Sequence, residues 1–513
     1  MLLLGAAGCA AIFPKGAYWR PYEGHLAPPP AERPAAPDAA RTVPPAEKLA
    51  AERAALQDGI TRRWSDEDFF DSARRMDAFA GRCVYSDAME ILVWCYVDPL
   101  SYRRLIGAGL MSLRAALENP KFRQRFPVAA DTAKREQFAE ALDILALKAR
   151  AADPWLPFQA SDWLAVAIEK NRAMLGVPDG AVVAEFLFGA MDILDPYTRF
   201  LTHDMNRQYD EQLEGAYTGI GAEIVTRDGR VFLKEIFAGG GAAKAGLKVG
   251  DEIVAVEGQS VAGLPRAEIS RRMRGRPGTE VKVSVKPGGE GEPREVAIVR
   301  AVIRLPDVRD LQIVDADKRV GYLRLTVFNG RSEGELRRAI RDLAGRGAKR
   351  LILDLRDNPG GSLLDAVSVT GVFLSRGRVL TTRGRMLGAT WDYDVPVFES
   401  PEWRGPLAVL INENTASASE VLAAALQRHG LAVLVGHRTF GKGAVQIVLG
   451  AGGGGVCVTI ARVYDPKNEC LEGRGVEPAR VVEQPAKPAA TVQEDLAVRA
   501  AIAAMDAATP PRP

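Results

Sequence analysis

The chain has 513 residues, too many for one ordinary core, so two or three domains are expected. Its 67 basic and 65 acidic residues leave a formal charge of +2 with no block of like charge, which gives nucleic-acid binding no electrostatic support. Five cysteines without a CxxC pair and four histidines without an HExxH pattern argue against a disulfide scaffold, a zinc site and metalloprotease chemistry.

Residues 1–13, MLLLGAAGCAAIF, are apolar and rich in small side chains up to Cys9. They are similar to the end of a bacterial signal peptide with a lipoprotein-type cleavage site, although no basic stretch precedes the apolar run. The expectation is an extracytoplasmic protein of the periplasm or cell envelope, with lipidation at Cys9 as its membrane tether. Residues 14–47 are crowded with proline and alanine and read as an extended linker. From 48 to 213 apolar residues recur every three or four positions, as in SDWLAVAIEKNRAML, which predicts a helical domain. Its tryptophans and methionines read as core residues.

Between 214 and 303 the texture changes to short β-branched runs punctuated by glycine: GIGAEIV, VFLKEIF, DEIVAVEG and EVKVSVK. One amphipathic helix, Pro265 to Met273, interrupts them. Together with AGLKVGDEIVAVEG these segments resemble a PDZ domain of the bacterial type. Successive amides in Gly219-Ile220-Gly221 suit a peptide's terminal carboxylate, and the strand from Ala222 suits pairing with an added peptide strand. Ile269 and Met273 on the helix are expected to form the other wall.

From 304 to 482 strands and helices alternate, which predicts an α/β layer structure with a largely parallel sheet. Ser417 falls where the apolar strand Leu407 to Ile411 gives way to a helix, so its hydroxyl and the next amide sit at the positive end of the helix dipole. Lys442 lies in a glycine loop after the apolar run Leu431 to Val435. Parallel neighbouring strands would bring both loops to one edge of the sheet. Ser417 could equally cap its helix. Gly436 to Gly443 nearly matches a phosphate loop, but Gly443 replaces the hydroxyl residue that magnesium needs and strand follows instead of helix, so nucleotide binding is not expected. His429 and His437 invite a Ser/His reading, which is not expected to hold, and Asp354 with Arg356 suggests a structural ion pair.

GYLRLTVF, LILDLRDNPGG, TASASE and VGHRTFGKGAVQ, in this order after a PDZ-like module, resemble the carboxy-terminal processing protease family of serine endopeptidases. The resemblance implies Ser417 as nucleophile, Lys442 as general base and Gln446 as its orienting partner. It implies an oxyanion hole from the amides of Ala418 and Gly361. A neutral lysine is required, and the glycine-rich surroundings of Lys442 supply no carboxylate to hold it charged. Arg274 in RRMRG is a candidate for coupling peptide occupancy to the active site. Arg428 departs from members that carry an acid at its position.

The expected whole is a multidomain α+β protein: N-terminal helical domain, PDZ-like β-rich module and α/β protease core. Residues 483–513 add an exposed terminal helix and tail. Its partners would be protein or peptide substrates with free C-termini, with no metal, no organic cofactor and no nucleic acid. Self-association as a homodimer is common in the family. The rival reading is an inert PDZ scaffold that binds peptides without cleaving them.

Overall fold

The computed structural model describes residues 46–507 apart from 153, 155, 214, 397–399, 453 and 484–490. The apolar leader with Cys9, and residues 14–45 of the proline-rich stretch, lie outside the described residues. The chain divides into two compact units, Met1–Ala54 and Ala55–Pro513. Of the first, only residues 46–54 are described, as helix. Everything below concerns the second.

Helices dominate up to residue 192, among them Ala78–Cys95, Tyr102–Ala116, Thr132–Ala151 and Pro157–Met174. Their starts are written in the sequence: Asp77, Ser101 and Asp131 each accept a hydrogen bond from a first-turn N–H. Trp64 is fully buried, as expected of a core residue. Its indole N–H donates to Glu185 at 2.6 Å, and the same buried carboxylate accepts from Ser112 at 2.6 Å and Arg63 at 3.1 Å. A charge at that depth is tolerable only because these donors surround it.

The helical core does not end with the helices. Val456, Val458 and Ile460, from the late strand Gly454–Tyr464, pack into it. Val97 N–H donates to Thr459 O at 2.8 Å, and Arg462 pairs with Asp98 at 2.7 Å. The chain-order boundary at residue 213 is therefore not a boundary of packing.

Residues 216–304 form the β-rich module expected to resemble a PDZ domain, whose main sheet runs Ala222–Arg227, Arg230–Ile236, Glu252–Val256, Glu280–Lys286 and Arg294–Val299. Strict alternation in Glu280–Lys286 buries Val281, Val283 and Val285 and leaves Glu280 and Lys282 in water. Each such side chain contributes roughly 1.5–3 kcal/mol on burial. Ala216–Gly219 pairs with Ala301–Arg304, so the chain enters and leaves the module side by side.

The last region holds a six-stranded sheet in the order Val308–Asp315, Val320–Leu325, Arg350–Asp354, Leu407–Ile411, Val433–Gly436, Arg480–Val481. The first pair is antiparallel and all later neighbours are parallel. Leu407–Ile411 is buried at every residue, as a parallel strand covered on both faces must be. One cover is the helix Ala418–Arg428; the other is the terminal helix Leu496–Ala507, which is not exposed as expected. Val498 and Ala501 are fully buried against Ile352, Ala408 and Leu410. The apolar back of the sheet demands a lid, and the alanine-rich helix supplies one. Arg356 secures it by pairing with Asp495 at 2.8 Å and with Asp354 at 2.6 Å.

Candidate active site

Ser417 sits at the corner between the strand Leu407–Ile411 and the helix Ala418–Arg428, with φ 58° and ψ −118°. That positive φ is costly for a side chain with a Cβ and marks a position held by its surroundings. The hydroxyl does not cap the helix, and among the described residues it makes no hydrogen bond. Instead the Ser417 N–H donates to Glu420 Oε2 at 2.8 Å. The capping alternative for the side chain is thus not realised.

Glu420, one helical turn on and fully buried, was not singled out from the sequence. Its Oε2 also accepts from the Lys442 N–H at 2.8 Å. Its Oε1 accepts from the Gly441 N–H at 2.7 Å and the Thr439 hydroxyl at 2.5 Å. One carboxylate therefore gathers four donors and fastens the backbone of Ser417 to that of Lys442. Leu407–Ile411 and Val433–Gly436 are parallel neighbours, which is why their following loops meet here.

The 357–361 loop, DNPGG, completes the corner. Asn358 O accepts from the Ala416 N–H at 3.0 Å and the Ser419 hydroxyl at 3.1 Å. A Cβ on Gly360 would stand 2.8 Å from Ala418 N and 2.8 Å from Ser417 Cβ, so only glycine lets this loop pass the helix start. Gly361, at φ 143°, pairs in parallel with Phe328. Phe328 N–H donates to Gly360 O at 3.0 Å and Ser362 N–H to Phe328 O at 2.9 Å, which turns the Gly361 N–H away from Phe328. Among the described residues neither the Gly361 N–H nor the Ala418 N–H has an acceptor. Two idle donors beside a free hydroxyl can stabilise a developing oxyanion.

The Lys442 side chain lies in a half-buried box. Its ammonium stands 4.9 Å from the centre of the Tyr197 ring and makes no hydrogen bond among the described residues, to Ser417 or otherwise. Burial lowers its pKa below the ordinary 10.5. The expectation that no carboxylate lies near is corrected: Glu472 and Asp195 both pull the pKa back up, but burial outweighs them. Glu472 is anchored by the Gly443 N–H at 2.8 Å, and burial raises its own pKa. Burial, with Glu472 and Glu420 nearby, pushes the Tyr197 phenol up to about 12.

Among the described residues Gln446 makes no hydrogen bond to Lys442. Its amide donates to Thr459 at 3.1 Å, and Thr459 donates to Asp195 at 3.1 Å. Asp195 in turn accepts from the Tyr197 and Thr198 N–H groups at 2.8 and 2.9 Å, so Gln446 braces the turn that carries Tyr197. Arg428 pairs with buried Asp465 at 2.7 Å and also with Glu469. That fixes the turn leading to Glu472. His429 bonds the Arg378 carbonyl at 2.8 Å, a structural contact.

In the β-rich module a cavity of about 730 Å³ is bounded by Gly219, Ile220 and Ala222 on one side and Ser270 and Met273 on the other. Ile269, expected on this wall, is fully buried in the module core instead. A helix of this pitch sends Ile269 inward and gives the adjacent Ser270 to the cavity. The Ile220 and Gly221 carbonyls accept from Ala242 N–H at 2.6 Å and Phe237 N–H at 3.0 Å. Among the described residues the Ile220 and Gly221 N–H groups have no acceptor. Arg274 follows the helix and places its guanidinium 5.8 Å from the centre of the Tyr217 ring.

Among the described residues, no group of three or more His, Cys, Asp or Glu side chains could hold a metal ion, and no helix is long and apolar enough to cross a membrane. Cys83, Cys457 and Cys470 form no disulfide among the described residues.

Comparison with known proteins follows this geometry. Residues 211–286 match the PDZ domain and residues 319–482 match peptidase family S41. The chain is 33% identical over 315 residues to the carboxy-terminal-processing protease of Bartonella bacilliformis, covering 60% of this chain and 71% of the relative. It is 34% identical over 299 residues to the carboxyl-terminal-processing protease of a Picosynechococcus species, covering 56% and 70%. A probable CtpA-like serine protease of Staphylococcus aureus is 30% identical over 297 residues, covering 57% and 58%.

Proposed function

Since the chain belongs to the carboxy-terminal-processing proteases of peptidase family S41, serine peptidases with a PDZ domain, we propose that Ser417 is its nucleophile and Lys442 its general base. The observation that carries this reading is Glu420, whose single oxygen accepts from the backbone of both residues at 2.8 Å. A fixed pair of main chains leaves only side-chain rotation between rest and reaction. Lys442 turns from the Tyr197 ring to the Ser417 hydroxyl, a swing open to a four-carbon side chain, and comes within hydrogen-bond reach of the proton it must take.

In this mechanism the Ser417 oxygen attacks the peptide carbonyl while neutral Lys442 accepts its proton. The amides of Gly361 and Ala418 hold the oxyanion, each donor contributing roughly 3 kcal/mol. The C–N bond breaks, Lys442 returns the proton to the leaving amine, and an acyl-enzyme remains on Ser417. Water, deprotonated by Lys442, then hydrolyses that ester. Gln446 serves by bracing the Tyr197 turn through Thr459 and Asp195, and so preserves the burial that lowers the lysine pKa. The PDZ cavity receives the substrate's C-terminal tail, with the terminal carboxylate on the Ile220 and Gly221 amides. An extracytoplasmic location is part of the proposal and rests on residues 1–13 alone.

The test is hydrolysis of an unfolded protein substrate by the intact chain and by Ser417→Ala and Lys442→Ala. Each substitution is expected to lower kcat at least 1,000-fold, in the range seen when a nucleophile or its base is removed (about 10³–10⁶). The activity of the unsubstituted chain should rise with pH, with a midpoint below the ordinary lysine value, because burial depresses Lys442. Equal hydrolysis by all three proteins would reject the assignment, and no hydrolysis by any would favour the inert scaffold.

A further inference from the structure

The tail cavity is not built by the PDZ module alone. Its far wall is the strand Val308–Asp315 at the edge of the protease sheet, which contributes Val308 and Arg309. Arg309 lays its guanidinium 5.9 Å from the centre of the Phe237 ring. Phe237 is the residue whose N–H holds Gly221 O at 3.0 Å, so Arg309 stands beside one end of the Gly219–Gly221 loop. Arg274 stands beside the other end: its Cγ lies 3.8 Å from where a Gly219 Cβ would be. Two arginines, one from each domain, thus line the same cavity as this loop, whose Ile220 and Gly221 N–H groups have no acceptor among the described residues.

Charge bookkeeping shows what these cations lack. Lys234 and Arg266, on the same cavity, share Glu223 at 3.0 and 3.6 Å. Arg274 and Arg309 have no carboxylate partner among the described residues; Arg309 only donates to the Pro306 carbonyl at 3.3 Å. Glu235 and Asp310, the other acids on the cavity, are exposed. A tail's terminal carboxylate brings one negative charge, which the two amides and one guanidinium satisfy. The second guanidinium calls for a second carboxylate, and the planar fork of arginine suits one.

We propose that Arg309 of the protease core is a specificity-determining residue of the tail site, and that with Arg274 it selects protein tails carrying an acidic side chain within their last two residues. The proposal rests on the tail-binding reading above and adds to it a substrate class and a reader outside the PDZ module. It also makes tight tail binding a property of the two domains together.

The test uses the full chain with Ser417→Ala, so that bound peptides are not consumed, and dye-labelled decapeptides alike except for their ends: Glu-Ala or Gln-Ala, each as free acid or amide. Fluorescence anisotropy should show the Glu-Ala acid binding about tenfold more tightly than the Gln-Ala acid, a size ordinary for one charge-assisted pair. Adding Arg309→Gln should shrink that ratio below about twofold and leave the Gln-Ala acid within about twofold, whereas Arg309→Lys should keep part of it. Equal affinity for the Glu and Gln acids, or an Arg309→Gln that weakens both alike, overturns the assignment alone. No effect of amidation on either peptide overturns the tail-binding reading and this assignment together.

Discussion

The corner that holds Ser417 and Lys442 and the cavity of the PDZ module solve opposite problems with similar groups. At the corner a fully buried carboxylate, Glu420, meets four donors and leaves none of its acceptor capacity idle, so the backbone of Ser417 and Lys442 is fixed before substrate arrives. In the cavity, Arg274 and Arg309 have no carboxylate partner and the Ile220 and Gly221 amides no acceptor among the described residues, which leaves that charge and those donors open to a ligand. The difference teaches where each region can tolerate change. Charge complementarity completed inside the chain contributes stability; charge left open contributes recognition.

The sharpest way to break this comparison is Glu420→Gln. An amide cannot accept from four donors, and its own NH2 would face backbone N–H groups. Stability should fall by about 3 kcal/mol, as for loss of a buried, fully satisfied acceptor, with kcat down at least 100-fold. Denaturant melts and hydrolysis assays check both, and Arg309→Gln in the cavity should by contrast move stability by less than about 0.5 kcal/mol. A smaller loss is expected from Arg428→Ala, which strands Asp465 with its side chain 1% exposed. About 2–3 kcal/mol of stability should go, with only a modest change in kcat for the protein that remains folded.

Smallest is the effect of Asp365→Asn, at the helix start just after Gly361. Burial pushes Asp365 up to about 7, and its Oδ2 has no hydrogen-bond partner among the described residues. Between about pH 4 and pH 7 the folded state keeps a proton that the unfolded state has lost, so stability falls as pH rises through that window. Asparagine should flatten this slope and stabilise the protein at pH 8 by on the order of 1–2 kcal/mol, visible as a higher Tm at pH 8 but not at pH 4.

What the sequence disclosed, and what it hid, follows from the kind of partner each residue uses. Ser417 and Lys442 were legible because each interrupts an apolar strand pattern with glycine or a helix start. Glu420 was not, since an acid in the first turn of a helix is ordinary and its partners are mostly backbone N–H groups, which every residue but proline carries. Tyr197 and Asp195 were hidden by distance along the chain: only the pairing of Arg199–Leu201 with Gly454–Tyr464 brings them to Lys442. Periodicity grouped Ile269 with Met273, and could not say which faced the core. The terminal helix read as exposed because nothing local states that a sheet has two faces to cover.

The strand Gly454–Tyr464 gives the molecule a temporal property as well. It lies near the end of the chain yet completes a core begun by helices near its start, and it carries Thr459, which ties Gln446 to the Tyr197 turn. Glu472 and the contact of the Gly473 N–H with Gly441 O, at 2.9 Å, come later still. During synthesis from the N-terminus, domains that can close early do so, while such long-range contacts must wait. A nascent chain that stops short of this segment lacks the strand and the loop that enclose the Lys442 side chain, so that enclosure is among the last parts of the molecule to form.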